Sequence, residues 1–239
     1  MKFFIMGDSW GVGEWQKIDG ILEPIPDTGI DRWLKEPGHD CTNISAGSAS
    51  NFGQLRHAYW TLQNDRSYDF IIWFYTESFR DIIETCILDP EEAERQYPDF
   101  VPNDFPRSNY ITEQNLKYAQ MIYDEYNIPF FLIGGQCCLP KNIEKYSFWR
   151  EKINNWAAEL LELDFDFPEY TWFSWQKFEM ILDHYNLDSK KFIIDEYENL
   201  EKVKIIIETS KNSARFPDNG HPGRSEFRSL AQKILSIVA

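Results

Sequence analysis

The chain has 239 residues, of which 43% are apolar and 16% aromatic, enough for one large domain with a substantial buried core. A formal net charge of −15 disfavours nucleic-acid phosphates and anionic membrane surfaces as partners, so neutral or cationic ligands are more natural. The chain has no run of about eighteen apolar residues, so no membrane span is predicted. The opening Met1–Met6 is too short for a signal-peptide core, so we expect the cytoplasm, with a viral or other particle and another export route as alternatives.

Short apolar segments alternate with helical patterns along the chain. Strands are predicted at Lys2–Met6, His39–Ser45, Asp69–Thr76, Pro129–Gly134 and Tyr170–Trp175. Between and after them, apolar residues recur at helical spacing in four sets: Leu55, Tyr59 and Leu62; Leu116, Ala119, Tyr123 and Tyr126; Ile143, Tyr146, Trp149, Ile153, Trp156 and Leu160; Phe227, Leu230, Ile234 and Val238. This alternation predicts βαβ units and a parallel sheet.

Two segments differ in composition from the rest. Residues 86–109 hold four prolines among many acids, which is typical of a long loop that is either a functional lid or a variable surface insertion. Residues 188–210 are highly charged and helical in pattern. We expect one domain over residues 1–239 that carries both additions.

The first predicted strand runs into Gly7-Asp8-Ser9-Trp10-Gly11, a G-x-S-x-G sequence. Ligands of open parallel sheets bind beyond the carboxyl ends of the strands, so Ser9 is well placed to act as a nucleophile. Serine is also a preferred residue at a helix N-cap. Taken alone, the motif favours Ser9 as a helix N-cap over Ser9 as a nucleophile.

A serine nucleophile needs a base, and the chain has four histidines. His39 and His57 lack a neighbouring carboxylate pattern, and His184 lies in Asp-His-Tyr-Asn on a predicted surface helix. His221 differs because Asp218 precedes it by three residues, in a turn-rich loop before the last predicted helix. A turn there would let Asp218 orient the imidazole; the alternative is an Asp-Asn-Gly turn beside an exposed histidine.

Taken together, G-D-S after the first strand and D-x-x-H before the last helix resemble the SGNH (GDSL-type) hydrolase family. The resemblance implies a flavodoxin-like three-layer α/β/α sandwich with about five parallel strands. It also implies that Ser9 is the nucleophile, His221 the base and Asp218 the acid that orients it. The stretch Asn43-Ile-Ser-Ala-Gly47 is similar to the family's second block, whose glycine, with Ser9, donates a backbone N–H to the oxyanion.

The third block departs from the family's pattern. Family members have G-x-N-D after the strand that corresponds to Asp69–Phe74, and the asparagine donates to the oxyanion; Glu77 stands in its place. Three accounts are open: a protonated Glu77 donates, Thr76, Ser78 or Asn51 donates instead, or the activity is weakened or lost.

The resemblance implies a serine esterase for small acyl groups, and the many aromatic residues suggest an acetyl group on a saccharide as substrate. Asp8, Trp10 and Asn51 are candidates for substrate contact, and no metal or other cofactor is expected. A non-catalytic binding or assembly module of the same fold, motivated by Glu77, and an acyltransferase are the alternatives.

Overall fold

The structure is a computed structural model that describes residues 1–19, 21–47, 49–77, 80–81, 110–135, 137–162 and 221–239. The strands are β1 (Lys2–Gly7), β2 (Trp15–Ile18), β3 (Ile21–Pro24), β4 (Asp40–Asn43), β5 (Phe70–Tyr75), β6 (Phe130–Gly134) and β7 (Trp149–Ile153). The α-helices are α1 (Ser9–Val12), α2 (Ile30–Lys35), α3 (Asn51–Asn64), α4 (Tyr110–Tyr126), α5 (Trp156–Leu160) and α6 (Arg224–Val238), and Lys141–Lys145 forms a 3₁₀ helix.

Five strands form the central sheet, in the order β4-β1-β5-β6-β7, and every neighbouring pair is parallel. Numbered along the chain, these five strands have the order 2-1-3-4-5, which is the flavodoxin-like arrangement. The predicted fold class is therefore confirmed. With this order the chain reverses its direction of winding between β1 and β5, the point at which open parallel sheets bind ligands beyond the carboxyl ends of their strands.

Both faces of the sheet are covered, because successive side chains of a strand point to opposite faces. On one face, Phe3, Ile5 and Phe74 pack against apolar side chains of α2, α5 and α6. On the other face, Phe4 and Trp73 pack against apolar side chains of α3 and α4. Strands buried on two sides read as continuous apolar runs, which explains the sequences FFIM and IIWFY.

Four of the predicted strands correspond to β1, β4, β5 and β6, and the helical patterns of α3, α4 and α6 are confirmed. The prediction of one helix through residues 143–160 is wrong. That stretch contains the 3₁₀ helix, the edge strand β7 and the short helix α5. Each short element buries only a few apolar side chains, and together they imitate helical spacing.

The antiparallel hairpin of β2 and β3 was not predicted, although the dipeptide Asp19-Gly20 between its strands is a recognised hairpin signal. Most of its residues are exposed, so the hairpin has little apolar alternation. The predicted strand Tyr170–Trp175, the segments 86–109 and 188–210, and Asp218 lie outside the described residues. No helix in the described ranges is long and apolar enough to cross a membrane.

Candidate active site

Ser9 lies at the carboxyl edge of the sheet, where β1 passes into α1. A Cβ on Gly7, whose φ is +150°, would lie 2.5 Å from Cβ of Phe74, so glycine lets the ends of β1 and β5 approach closely. The side chain of Asp8 caps α1 by accepting the N–H of Trp10 at 2.9 Å. Ser9 is therefore the first helical residue and not the N-cap, and its hydroxyl is not needed to cap the helix.

The structure brings together the two ends of the predicted catalytic set. Nε2 of His221 lies 2.9 Å from Oγ of Ser9, across 212 positions of the chain. His221 is placed by α6, which begins three residues later and is anchored by the buried Phe227. The Phe227 ring packs edge-on against Trp156, with ring centroids 5.2 Å apart. Packing of the last helix thus carries the histidine to the serine.

Trp15, in β2, holds both members of this pair. Its indole stacks on the His221 ring with centroids 5.1 Å apart and an interplanar angle of 27°. Its Nε1–H donates to the backbone oxygen of Ser9 at 2.9 Å. Next to it, Glu14 accepts from the backbone N–H and the guanidinium of Arg224, at the start of α6. The hairpin is therefore joined to the helix that positions His221.

Burial lowers the pKa of His221 to about 4, with the positive charge of Arg80 acting in the same direction. The imidazole is then neutral at neutral pH, which is the form that can take a proton from Ser9. If Nε2 is the acceptor, the ring proton sits on Nδ1, which is buried and lacks a hydrogen-bond partner among the described residues. A carboxylate is the expected acceptor at that position, and Asp218, the predicted one, lies outside the described residues.

The second block lies beside this pair. The N–H of Ala46 donates to the backbone oxygen of Gly7 at 3.1 Å, which ties the turn after β4 to the end of β1. A Cβ on Gly47 would lie 3.1 Å from Cη2 of Trp15, so the absence of a side chain lets this backbone lie against the indole. Gly47 and His221 both contact Trp15.

In the third block, Glu77 is fully buried and its Oε1 accepts from Nε of Arg80 at 2.7 Å. Nη1 of Arg80 also lies 3.6 Å from Oδ2 of Asp8. A carboxylate that holds a guanidinium is a hydrogen-bond acceptor. This geometry favours an ion pair over the account in which a protonated Glu77 donates to an oxyanion.

Asn51 and Thr76 are bonded to each other. Nδ2 of Asn51 donates to the backbone oxygen of Thr76 at 2.6 Å, and its Oδ1 accepts the backbone N–H of Thr76 at 3.1 Å. The Thr76 hydroxyl hydrogen-bonds to Asp8. Burial raises the pKa of that carboxyl, while Arg80 acts in the opposite direction.

The three predicted substrate contacts lie in the interior. Asp8, Trp10 and Asn51 are 5%, 2% and 1% exposed, and the Trp10 ring packs edge-on against Trp156 at 5.8 Å. Asp8 caps α1, and Asn51 fixes the end of β5. In this structure all three side chains are buried and serve packing and positioning, and their contact with a substrate stays a prediction.

Trp15, Glu14 and Arg80 were not predicted as residues of the site. Arg80 had a detectable signal, since it follows Glu77 by three residues, a spacing at which opposite charges meet on one helical turn. Trp15 had no such signal, because its partner His221 is remote in the chain.

The other histidines lie apart from this pair. His39 lies 3.4 Å from the amino terminus and His57 lies near Trp60 on α3, whereas His184 is outside the described residues. Within the described ranges, no group of three His, Cys, Asp or Glu side chains is placed to hold a metal ion.

Solved structures with a similar fold align with nearly the whole chain. A member of the lipolytic G-D-S-L family from Veillonella parvula is 12% identical with a TM-score of 0.41, covering 98% of this chain and 96% of its own. A carbohydrate acetylesterase family member from Sinorhizobium meliloti is 8% identical with a TM-score of 0.43, covering 100% and 97%. A lipase/acylhydrolase from Enterococcus faecalis is 13% identical with a TM-score of 0.40, covering 100% and 95%.

The chain is similar to esterases and acylhydrolases. No protein-family model matches it, and no curated protein matches its sequence. Since the identities are low and the TM-scores lie below 0.5, the chemistry of this chain has to be inferred from its own residues.

Proposed function

We propose that the protein is a serine hydrolase that cleaves esters of small acyl groups through an acyl-enzyme on Ser9. The observation that carries the proposal is the distance of 2.9 Å between Oγ of Ser9 and Nε2 of His221. Two features support it further. Asp8, and not Ser9, caps α1, and burial favours the neutral form of the His221 imidazole. A hydroxyl within hydrogen-bond reach of a neutral imidazole is the arrangement that activates a serine.

The reaction would proceed in two halves. His221 takes the proton of Ser9 while Oγ attacks the ester carbonyl, and the resulting imidazolium protonates the leaving alcohol. Water then attacks the acyl-enzyme with His221 again as base, which releases the acid and restores the serine. Asp218 is the proposed partner of Nδ1 on His221, and the backbone N–H groups of Ser9 and Gly47 are the proposed oxyanion donors.

The proposed substrate is a neutral small ester, with an acetyl ester of a saccharide as the preferred class. The net charge of −15 supports a neutral or cationic compound over an anionic one. If a sugar hydroxyl replaces water in the second half, the same residues perform acyl transfer. Product analysis with and without an added acceptor alcohol separates these two reactions.

The test is turnover of p-nitrophenyl acetate and labelling by a fluorophosphonate probe. We expect wild-type protein to do both, and Ser9→Ala and His221→Ala to lose turnover by about 10³-fold or more. Ser229→Ala, an exposed serine on α6, is the matched control and should behave as wild type. If wild-type protein and Ser9→Ala are equally inactive and unlabelled, the hydrolase proposal fails and a binding or assembly module is left.

A further inference from the structure

Two candidates for a side-chain oxyanion donor are engaged elsewhere: Glu77 accepts from Arg80, and the Thr76 hydroxyl is bonded to Asp8. Asn51 has its amide oxygen and one amide N–H bonded to the Thr76 backbone. Ser78 lies outside the described residues. Glu77 and Arg80 form an ion pair at the place of the expected asparagine.

Arg80 lies near the start of α1. Its side chain is 13% exposed, and its Nη1 approaches Asp8, the residue directly before Ser9. Its charge is also near enough to His221 to lower the pKa of the imidazole. The guanidinium thus contacts the residue before Ser9 and acts electrostatically on His221.

The donor capacity of Arg80 exceeds what its neighbours use. A guanidinium has five N–H donors, and within the described residues a hydrogen bond occupies one of them, Nε–H to Glu77. The contact of Nη1 with Asp8, at 3.6 Å, is longer than a hydrogen bond and leaves that group able to turn toward a substrate oxygen. A cation held near the reacting carbonyl stabilises the negative charge that develops on its oxygen.

We propose that the Arg80 guanidinium supplies the side-chain contact to the oxyanion, and that Glu77 is a positioning residue that holds it. This inference rests on the proposed hydrolase function. Under it, Glu77 is compatible with catalysis, because the carboxylate that would repel an oxyanion is neutralised by a guanidinium. Glu77 fixes Nε, and the Nη groups are left to face the carbonyl oxygen under attack by Ser9.

The experiment compares Arg80→Ala, Arg80→Gln and the exposed-arginine control Arg56→Ala, with p-nitrophenyl acetate as substrate. We expect Arg80→Ala to lose about 10²–10³-fold in kcat with little change in KM, as loss of an oxyanion donor does. Millimolar guanidinium chloride should restore part of that kcat, while sodium chloride at equal ionic strength should not. Arg56→Ala should match wild type in all respects.

Arg80→Gln is included in case Arg80→Ala does not fold, since an amide can still bond to Glu77. It should keep the wild-type far-UV circular dichroism and show the same loss in kcat. A kcat within threefold of wild type in a folded Arg80 variant overturns the inference, as does a loss in Arg80→Ala that guanidinium does not restore. If Ser9-dependent turnover is absent from wild-type protein, the proposed function fails first and this inference with it.

Discussion

His221 is the residue whose neighbours decide whether the site can act. Its burial and the nearby Arg80 charge favour the neutral imidazole, and the stacked Trp15 ring fixes its plane. The neutral form is a base at Nε2 only if Nδ1 carries the proton, and a carboxylate at Nδ1 favours that tautomer. The same carboxylate would also favour the protonated ring, so it changes the pH at which activity is lost.

The pH dependence of activity should therefore change in Asp218→Ala. The base form is lost as pH falls through the pKa of His221, so kcat/KM falls on the acid side. In Asp218→Ala, burial and the Arg80 charge, which both lower the pKa of His221, are no longer opposed by the carboxylate, so the acid limb should move to lower pH than in wild type. The shift should be about 1–3 pH units, because an adjacent anion favours the charged ring.

The measurement is the pH dependence of kcat/KM for a neutral ester whose own ionisation does not change. Asp40→Ala, an exposed carboxylate on β4, is the control and should leave the midpoint where wild type has it. Equal midpoints in wild type and Asp218→Ala would mean that Asp218 does not face His221.

At the scale of elements, the β2–β3 hairpin is an addition to the sheet that contacts the site. It contacts the site through Trp15 and reaches α6 through the Glu14–Arg224 ion pair. That pair is partly exposed, so its own contribution to stability is small. Its effect is geometric, since it joins the hairpin to the helix that follows His221.

Trp15 should therefore affect catalysis more than folding. Trp15→Phe keeps a ring to stack on His221 but loses the N–H that donates to Ser9, and we expect kcat/KM to fall roughly two- to tenfold, as for one hydrogen bond. Trp15→Leu loses both contacts and should fall further. Steady-state kinetics together with thermal unfolding checks this. Trp60→Phe, on the exposed side of α3, is the control and should keep the wild-type kcat/KM. A wild-type kcat/KM in Trp15→Leu would contradict the role given to the indole.

At the scale of the whole molecule, the acidic charge should influence which esters reach the site. With a net charge of −15, the protein attracts cationic esters and repels anionic ones. We expect the ratio of kcat/KM for a cationic over an anionic ester of matched size to be about tenfold near 0.01 M salt. The ratio should shrink toward unity at about 1 M salt, where the Debye length is about 3 Å.

The check is a salt titration of kcat/KM for both esters, with a neutral ester as the control whose rate should stay constant. A ratio that does not change with salt would mean that contacts inside the site, and not the charge of the whole molecule, discriminate between the esters.

The central sheet also acts at this scale, and its main strands were predictable because the information is local. FFIM and IIWFY are apolar on both faces, which suits central strands of a covered parallel sheet. The strand β7 was missed because it is covered less and, among the described residues, pairs only with β6, so its apolar residues follow no strand period. Local pattern predicts central elements better than edges for this reason.

The sequence by itself determined the chemistry available at each end of the chain: a serine after the first strand and a histidine before the last helix. Tertiary structure decided what those residues touch. It placed Nε2 of His221 beside Oγ of Ser9, gave the helix cap to Asp8 and paired Glu77 with Arg80. Contacts between residues far apart depend on how helices pack on both faces of the sheet, and spacing along the chain does not record that packing.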